Sequence, residues 1–237
     1  MATIIFDVDD TLYDQLVPFK KAFHQTIREV SKDKIHSLYR LNREKSDALF
    51  EKSESGELPK IEMQVMRIQY ACEQSKMAIS REEALAFQKA YEVEQQKLVL
   101  YPEIEELLTR LTKNNHQVAL LTNGAATHQQ KKIDQLGLAK WIAQDHMFIS
   151  GQLGKMKPDI AAFEMVESAL TLADEKPIYV GDSFHNDIVG GKKAGWTVIW
   201  LNTRKNKPTN ESVEPDKIIE HPSELLSLFE EQGYFKK

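Results

Sequence analysis

An apolar strand stands at the head of this chain with nothing beside it to pair with. Ile4-Ile5-Phe6 runs straight into Asp7-Val8-Asp9-Asp10-Thr11, and the next strand-like run begins only at Gln117. The backbone N–H and C=O groups of a buried strand need partners, so this strand must join a sheet made by the distant half of the chain. The stretch between is then an insertion after strand one. Its spacing is helical throughout: Phe19, Phe23, Ile27 and Val30 recur regularly, and Ile35, Leu38, Leu41 and Leu49 more loosely. Ser53 to Pro59 reads as a polar break, and Ser80 with Glu83 as a capping box opening a helix through Ala84, Phe87, Tyr91 and Leu98. Residues 15–98 are therefore expected to form an all-helical bundle of about four or five helices.

From residue 99 the pattern alternates. Pro102 opens a helix ending near Asn114, and Gln117 to Thr122 is a strand. Ala125 to Leu136 is a helix stopped by Gly137, and His146 to Ser150 a short strand. Pro158 opens a helix through Ala161, Phe163 and Val166, followed by a strand at Ile178 to Val180. Asp187 to Ala194 is a helix, Thr197 to Leu201 a strand, and Ile218-Ile219 an edge strand before a last helix from Ser223. Such alternation predicts an α/β fold, a parallel sheet with helices on both faces, formed by residues 1–14 and 99–237.

Composition excludes several classes of partner. A net charge of −5 and a pI of about 5.9 favour neither a nucleic acid polymer nor an anionic membrane. The apolar runs are strand-sized, too short to span a membrane, and no basic-then-apolar leader opens the chain, so a cytoplasmic protein is expected. The single cysteine, Cys72, leaves no internal disulfide or cysteine zinc site, and its helical spacing from Val65 and Ile68 makes it a core residue.

Ligands of open parallel sheets bind beyond the carboxyl ends of the strands. Those ends carry Asp7, Asp9 and Thr11; Thr122-Asn123-Gly124; and Gly181-Asp182-Ser183 with Asp187 on the next turn. Lys155-Met156-Lys157-Pro158 falls between the last two, with Pro158 expected to start a helix. Asp7, Asp182 and Asp187 are hard oxygen donors suited to magnesium, and a backbone carbonyl near Asp9 is a candidate further ligand. His185 reads as a solvated helix-start residue. A dianionic phosphate suits magnesium and a lysine: Thr122 and the amides around Asn123-Gly124 read as an oxyanion nest, and Lys157 as a point charge. Asp7 is then placed to attack phosphorus, giving an aspartyl-phosphate. Asp9 is placed to protonate the leaving group and afterwards to activate water.

The segments Asp7-Val8-Asp9-Asp10-Thr11-Leu12, Thr122-Asn123, Lys157-Pro158 and Gly181-Asp182-Ser183-Phe184-His185-Asn186-Asp187 resemble, in order and spacing, the four motifs of the haloacid dehalogenase-like superfamily. The resemblance covers essentially the whole chain. It implies a Rossmann-like parallel sheet core with an inserted all-helical cap domain at 15–98, magnesium, and transfer through an aspartyl intermediate. It implies Asp7 as nucleophile, Asp9 as general acid/base, Thr122 and Lys157 as phosphate binders and Asp182 as a metal ligand. Asp187 would be a ligand or would orient metal-bound water. Lys157 precedes proline as in the family motif, so Lys155 is expected in solvent. The family's dehalogenases resemble this chain but lack the second acid of the first motif, and Asp9 therefore favours phosphoryl transfer. The run from Asp10 to Asp14, with Gly56-Glu57 and Arg67, is similar to the pyrimidine 5'-nucleotidase-like phosphatases.

Other conspicuous residues have plainer readings. Asp10 is expected to serve a turn, Gly190-Gly191 close helix–sheet packing, and Met63, Met66 and Met77 a core. Trp141, Trp196 and Trp200 are expected to pack in or beside core elements. Arg28, Arg40 and Arg43 are expected on solvated faces, leaving Arg67 as the leading candidate to bind a substrate's distal anion. The expected protein is a magnesium-dependent phosphatase of a small phosphorylated metabolite, with nucleoside monophosphates among the candidates. It is expected to be a monomer or a weak homodimer. A phosphomutase on the same core and a non-catalytic phosphometabolite-binding protein are the alternatives. The intact acid pair weighs against the second.

Overall fold

The computed structural model describes the chain apart from residues 171, 173–175, 211, 236 and 237. It divides into two compact units, residues 1–14 with 99–237, and residues 15–98. In the first, β1 (Thr3–Phe6) pairs in parallel with β2 (Gln117–Thr122) on one side and β4 (Ile178–Gly181) on the other. β3 (Met147–Ile149), β5 (Thr197–Leu201) and β6 (Lys217–Ile219) extend a six-stranded parallel sheet of order β3-β2-β1-β4-β5-β6. The strand at the head of the chain is thus central, and the order reverses beside it, which puts the ligand crevice at its carboxyl end.

Side chains alternate across the sheet. Ile5, Leu121, Tyr179, Val198 and Trp200 share one core with Ala162, Phe163 and Val166 of α8 (Ile160–Leu170). The opposite phase, including Ile4, Phe6, Leu120 and Val180, is also fully buried, as expected of a sheet covered on both faces. The other helices of this unit are α5 (Pro102–Lys113), α6 (Ala126–Gln135), α7 (Ser150–Leu153), α9 (Gly190–Lys193) and α10 (Pro222–Glu231). This is an α/β, Rossmann-like core. A Cβ on Gly190 or Gly191 would stand 2.7 Å from the Phe163 ring or 2.5 Å from Val198, so both glycines serve helix–sheet packing.

Two helix starts differ from the sequence expectation. Pro158 does not open α8: Lys157 and Pro158 form a turn closed by the Asp159 N–H on the Met156 carbonyl at 2.9 Å, Asp159 Oδ1 accepts the Ala161 N–H at 3.1 Å, and the helix begins at Ile160. The helix expected from Asp187 begins three residues earlier, as a widened π-type turn over Phe184–Val189. Ser183 caps it by accepting the Asn186 N–H at 3.3 Å, which places Asp187 inside the first turn.

The second unit comprises α1 (Leu16–Thr26), α2 (Lys32–Glu54), α3 (Lys60–Gln74) and α4 (Arg81–Glu94). Its core is aromatic: Phe87 meets Phe19 edge-on at 5.2 Å and stacks on Tyr91 at 5.7 Å. The Ser80–Glu83 capping box is formed in both directions. α1 stops at Thr26, before Ile27 and Val30, because Ser31 already caps α2; both apolar residues still pack on the core from the connection. Cys72 is buried, and Met66, against expectation, is exposed on the outer side of α3.

Candidate active site

β1 carries Asp7 to the sheet's carboxyl edge while keeping it in register, its N–H donating to the Val180 carbonyl at 2.9 Å. The Asp7 side chain is buried, and so is that of Lys157 on the loop before α8. The Lys157 ammonium donates to Asp7 Oδ1 at 2.8 Å, to Asp187 Oδ1 at 2.7 Å and to the Tyr179 hydroxyl at 2.7 Å. An ammonium has three protons, and all three are used. Tyr179 in turn donates to the Leu121 carbonyl at 2.9 Å. Asn123 holds the lysine's backbone from the end of β2: its amide donates to the Lys157 carbonyl at 2.8 Å, and its Oδ1 accepts the Lys157 N–H at 2.9 Å.

Asp187 is fully buried, with Oδ2 accepting the Ser183 N–H at 2.8 Å. Its carboxylate lies flat against Gly181, where an added Cβ would collide with it. Any side chain at the end of β4 would therefore displace Asp187.

The electrostatics follow from this crowding. Burial pushes the Asp7 carboxyl up to about 6, with the Lys157 ammonium opposing and the Asp187 and Asp9 charges reinforcing. Burial disfavours the charged Lys157, but Asp187 and Asp7 outweigh it and hold the ammonium above its ordinary range. The Tyr179 hydroxyl is held well above its ordinary range by burial and by the Asp187 and Asp7 charges, so it remains a neutral donor. Oxygen atoms of Asp7, Asp182 and Asp187 lie within 4.8 Å of one another. One ammonium set among three carboxylates leaves this group net negative. The all-oxygen donor set is the chemistry that a hard divalent cation takes.

A profile for haloacid dehalogenase-like hydrolases matches residues 4–201. The chain belongs to that family. Over 234 residues it is 27% identical to a glyceraldehyde 3-phosphate phosphatase of Methanopyrus kandleri, a match covering 96% of this chain and 97% of that protein. It is 35% identical to a pyrimidine 5'-nucleotidase of Streptococcus pneumoniae over 98 residues, 41% of this chain and 40% of that one. A match to a phosphoserine phosphatase of Thermus thermophilus, 34% identical over 57% of this chain, likewise spans only 53% of the relative. Among solved structures, a HAD-hydrolase of Bacillus subtilis bound to magnesium has the same fold, with a TM-score of 0.68 at 21% identity, covering 96% of this chain and 97% of that one. The protein is thus a haloacid dehalogenase-like hydrolase with phosphatases and nucleotidases among its relatives. Among the described residues no helix is long and apolar enough to cross a membrane.

Within this family framework the structure sorts the residues picked out from sequence. Asp7, Lys157, Asp182 and Asp187 converge, and Lys155 is exposed beside Asp159, 3.5 Å away. The Asp9 carboxylate lies outside the acidic group, on Lys132, Gln129 and Tyr13. Asn123 is engaged with the Lys157 backbone rather than presented to a ligand. The Gly124 N–H donates to Ser150 Oγ at 2.9 Å, so the expected nest loses that amide. Asp10 is more than a turn residue: it has a φ of +55° and forms a buried ion pair with Arg204, Nη2 to Oδ1 at 2.6 Å, and Arg204 also holds Asp14. Arg67 belongs to the helical unit, donating to Gln88 Oε1 at 2.9 Å and Ser46 Oγ at 3.4 Å. Lys132, Gln129, Tyr13, Tyr179 and Arg204 were missed. Of these only Gln129 and Lys132 carried a signal, their three-residue spacing on the helix following Thr122.

Proposed function

We propose that this protein is a magnesium-dependent phosphatase acting on a small phosphorylated metabolite through a phosphorylated Asp7. The reading is carried by the separation of two neighbouring acids. Asp7 faces Lys157 in the acidic group, while Asp9, two residues on, is held by Lys132, Gln129 and Tyr13. Asp7, Asp182 and Asp187, with the carbonyl of Asp9, are the groups that would hold the cation. Magnesium supplies charge compensation for the phosphoryl group there.

The chain's residues perform the chemistry in two halves. An Asp7 oxygen forms a bond to phosphorus, and the bond from phosphorus to the substrate oxygen breaks. Asp9 gives its proton to that departing oxygen. In the second half Asp9 takes a proton from water, the water oxygen bonds to phosphorus, and the Asp7–phosphorus bond breaks, returning the carboxylate. Lys157, by giving up the hydrogen bond it donates to Asp7 in the free protein, and the Thr122 hydroxyl are assigned to the phosphoryl oxygens. Tyr179, Asp187 and Asn123 keep Lys157 in place from three sides.

Substrate selection is assigned to the helical unit as a cap. Arg67 is its candidate anion binder, because its guanidinium meets only neutral acceptors and its buried Nε has no hydrogen-bond partner. The relatives point to sugar phosphates and nucleoside monophosphates as first substrates to try. Phosphate release across such a panel, with and without magnesium, is the test. Asp7→Asn should lower turnover at least about 10,000-fold. Wild-type turnover that ignores magnesium, or an active Asp7→Asn protein, would sink the assignment.

A further inference from the structure

α6 leaves the end of β2 directly behind Thr122 and turns one face back on the site. Gln129 and Lys132, three residues apart and so neighbours on that face, are 1% and 4% exposed, whereas Lys131 between them is in solvent. The Lys132 ammonium donates to both oxygens of Asp9 at 2.7 Å each. Gln129 Nε2 donates to Thr122 Oγ1 at 2.6 Å and approaches Asp9 Oδ2 at 3.4 Å. The Tyr13 hydroxyl also donates to Asp9 Oδ1. Gly124 makes the approach possible: its φ is +148°, and a Cβ there would stand 2.8 Å from Gln129 Cγ. Burying a lysine sacrifices its side-chain freedom and its hydration, and nothing in the two-step chemistry above uses this one.

We propose that Lys132 is a positioning residue for Asp9. Gripping both carboxylate oxygens removes rotation about the last side-chain bonds and holds the acid where the departing oxygen and the attacking water pass. Gln129 ties the same helix to Thr122, so one face of α6 aligns a phosphate-binding hydroxyl and the acid together. The inference rests on the acid/base reading of Asp9, and the experiment separates the two.

Phenyl phosphate and p-nitrophenyl phosphate have similar shapes, but only the first needs strong protonation of its leaving group. Their kcat and KM are measured with magnesium for the wild type, Lys132→Met, Lys132→Arg, Asp9→Asn and the Lys132→Met/Asp9→Asn double variant. Lys132→Met should lower kcat on phenyl phosphate by about 10- to 100-fold, with KM within about threefold, and lower kcat on p-nitrophenyl phosphate several-fold less. Lys132→Arg should recover part of the loss. The double variant should be no slower than Asp9→Asn alone, because a residue acting through another adds nothing once that other is gone. If Lys132→Met does not fold, Lys132→Arg and Gln129→Met carry the same comparison. Equal losses on both substrates, a loss confined to KM, or additive losses in the double variant would overturn the positioning role. If Asp9→Asn shows the leaving-group difference and Lys132→Met does not, only the role of Lys132 fails. If Asp9→Asn shows none, the reading of Asp9 fails and takes the inference with it.

Discussion

Among the described residues, the α/β unit buries whole charged side chains, whereas the polar residues buried in the helical unit are neutral and its Arg67 is only partly covered. Asp7, Asp10, Lys132, Lys157 and Asp187 are buried in the first, against Gln15, Asn42, Ser46, Gln64, Ser75 and Gln88 in the second. Buried amides and hydroxyls need only hydrogen bonds, and Tyr39 donating to Gln15 at 2.8 Å shows how they are met. Buried charges need a counter-charge as well, and even then return little stability over an apolar core of the same volume. The difference teaches where chemistry outranks stability. The helical unit is held as a packed core, and the α/β unit keeps at its sheet edge an ionic array that packing alone would not select.

That contrast can be broken at its strongest point in the helical core. Phe87 is fully buried among Phe19, Phe23 and Tyr91. Phe87→Ala should destabilise the protein by about 3–5 kcal/mol, read from urea unfolding. A loss under about 1 kcal/mol would mean that the ring cluster does not hold the unit together. The converse test is Gly181→Ala, whose added methyl meets the Asp187 carboxylate. It should lower kcat/KM by about 10- to 100-fold, roughly 1.4–2.8 kcal/mol, and shrink the rise in Tm expected of the wild type on adding magnesium. Full activity with an unchanged magnesium effect would remove Asp187 from the site.

Smaller effects sharpen the picture. Ser80→Ala should cost about 1 kcal/mol in thermal unfolding, since it opens the capping box at the start of α4. Cys72 gives a reactivity check on core packing. Burial pushes its thiol up to about 11. A raised pKa keeps the neutral thiol below that pH, so at pH 8 roughly one molecule in a thousand holds the thiolate. Iodoacetamide at pH 8 should label the native protein only after denaturant is added. Rapid native labelling would show that the helical core opens readily.

The fold was readable because its determinants are local. Capping residues, the three- and four-residue spacing of apolar side chains, and short β-rich runs act within a few positions of themselves. β2 and β5 accordingly fall where their apolar runs predict. The misplaced helix starts had local causes too, the Asp159 turn and the Ser183 cap, but each competed with a neighbouring signal, proline in one case and aspartate in the other. At the site, the residues ending strands were legible because the carboxyl edge of a parallel sheet is a known place. Gln129 and Lys132 offered only their three-residue spacing, which does not suffice, since a lysine in a polar helix reads as solvated until the helix has a direction.

The chain alone dictated that the first strand joins a distant sheet, that a helical segment is inserted after it and that acids cluster at the strand ends, because hydrophobic period and backbone pairing leave few other arrangements. Tertiary structure alone decided which charge answers which. The Lys132–Asp9 pair spans 123 residues, Arg204–Asp10 spans 194 and Lys157–Asp7 spans 150. Those pairings depend on sheet register and on the rotation of each helix about its axis. Both are set by how whole elements pack, a property that no short stretch of sequence holds.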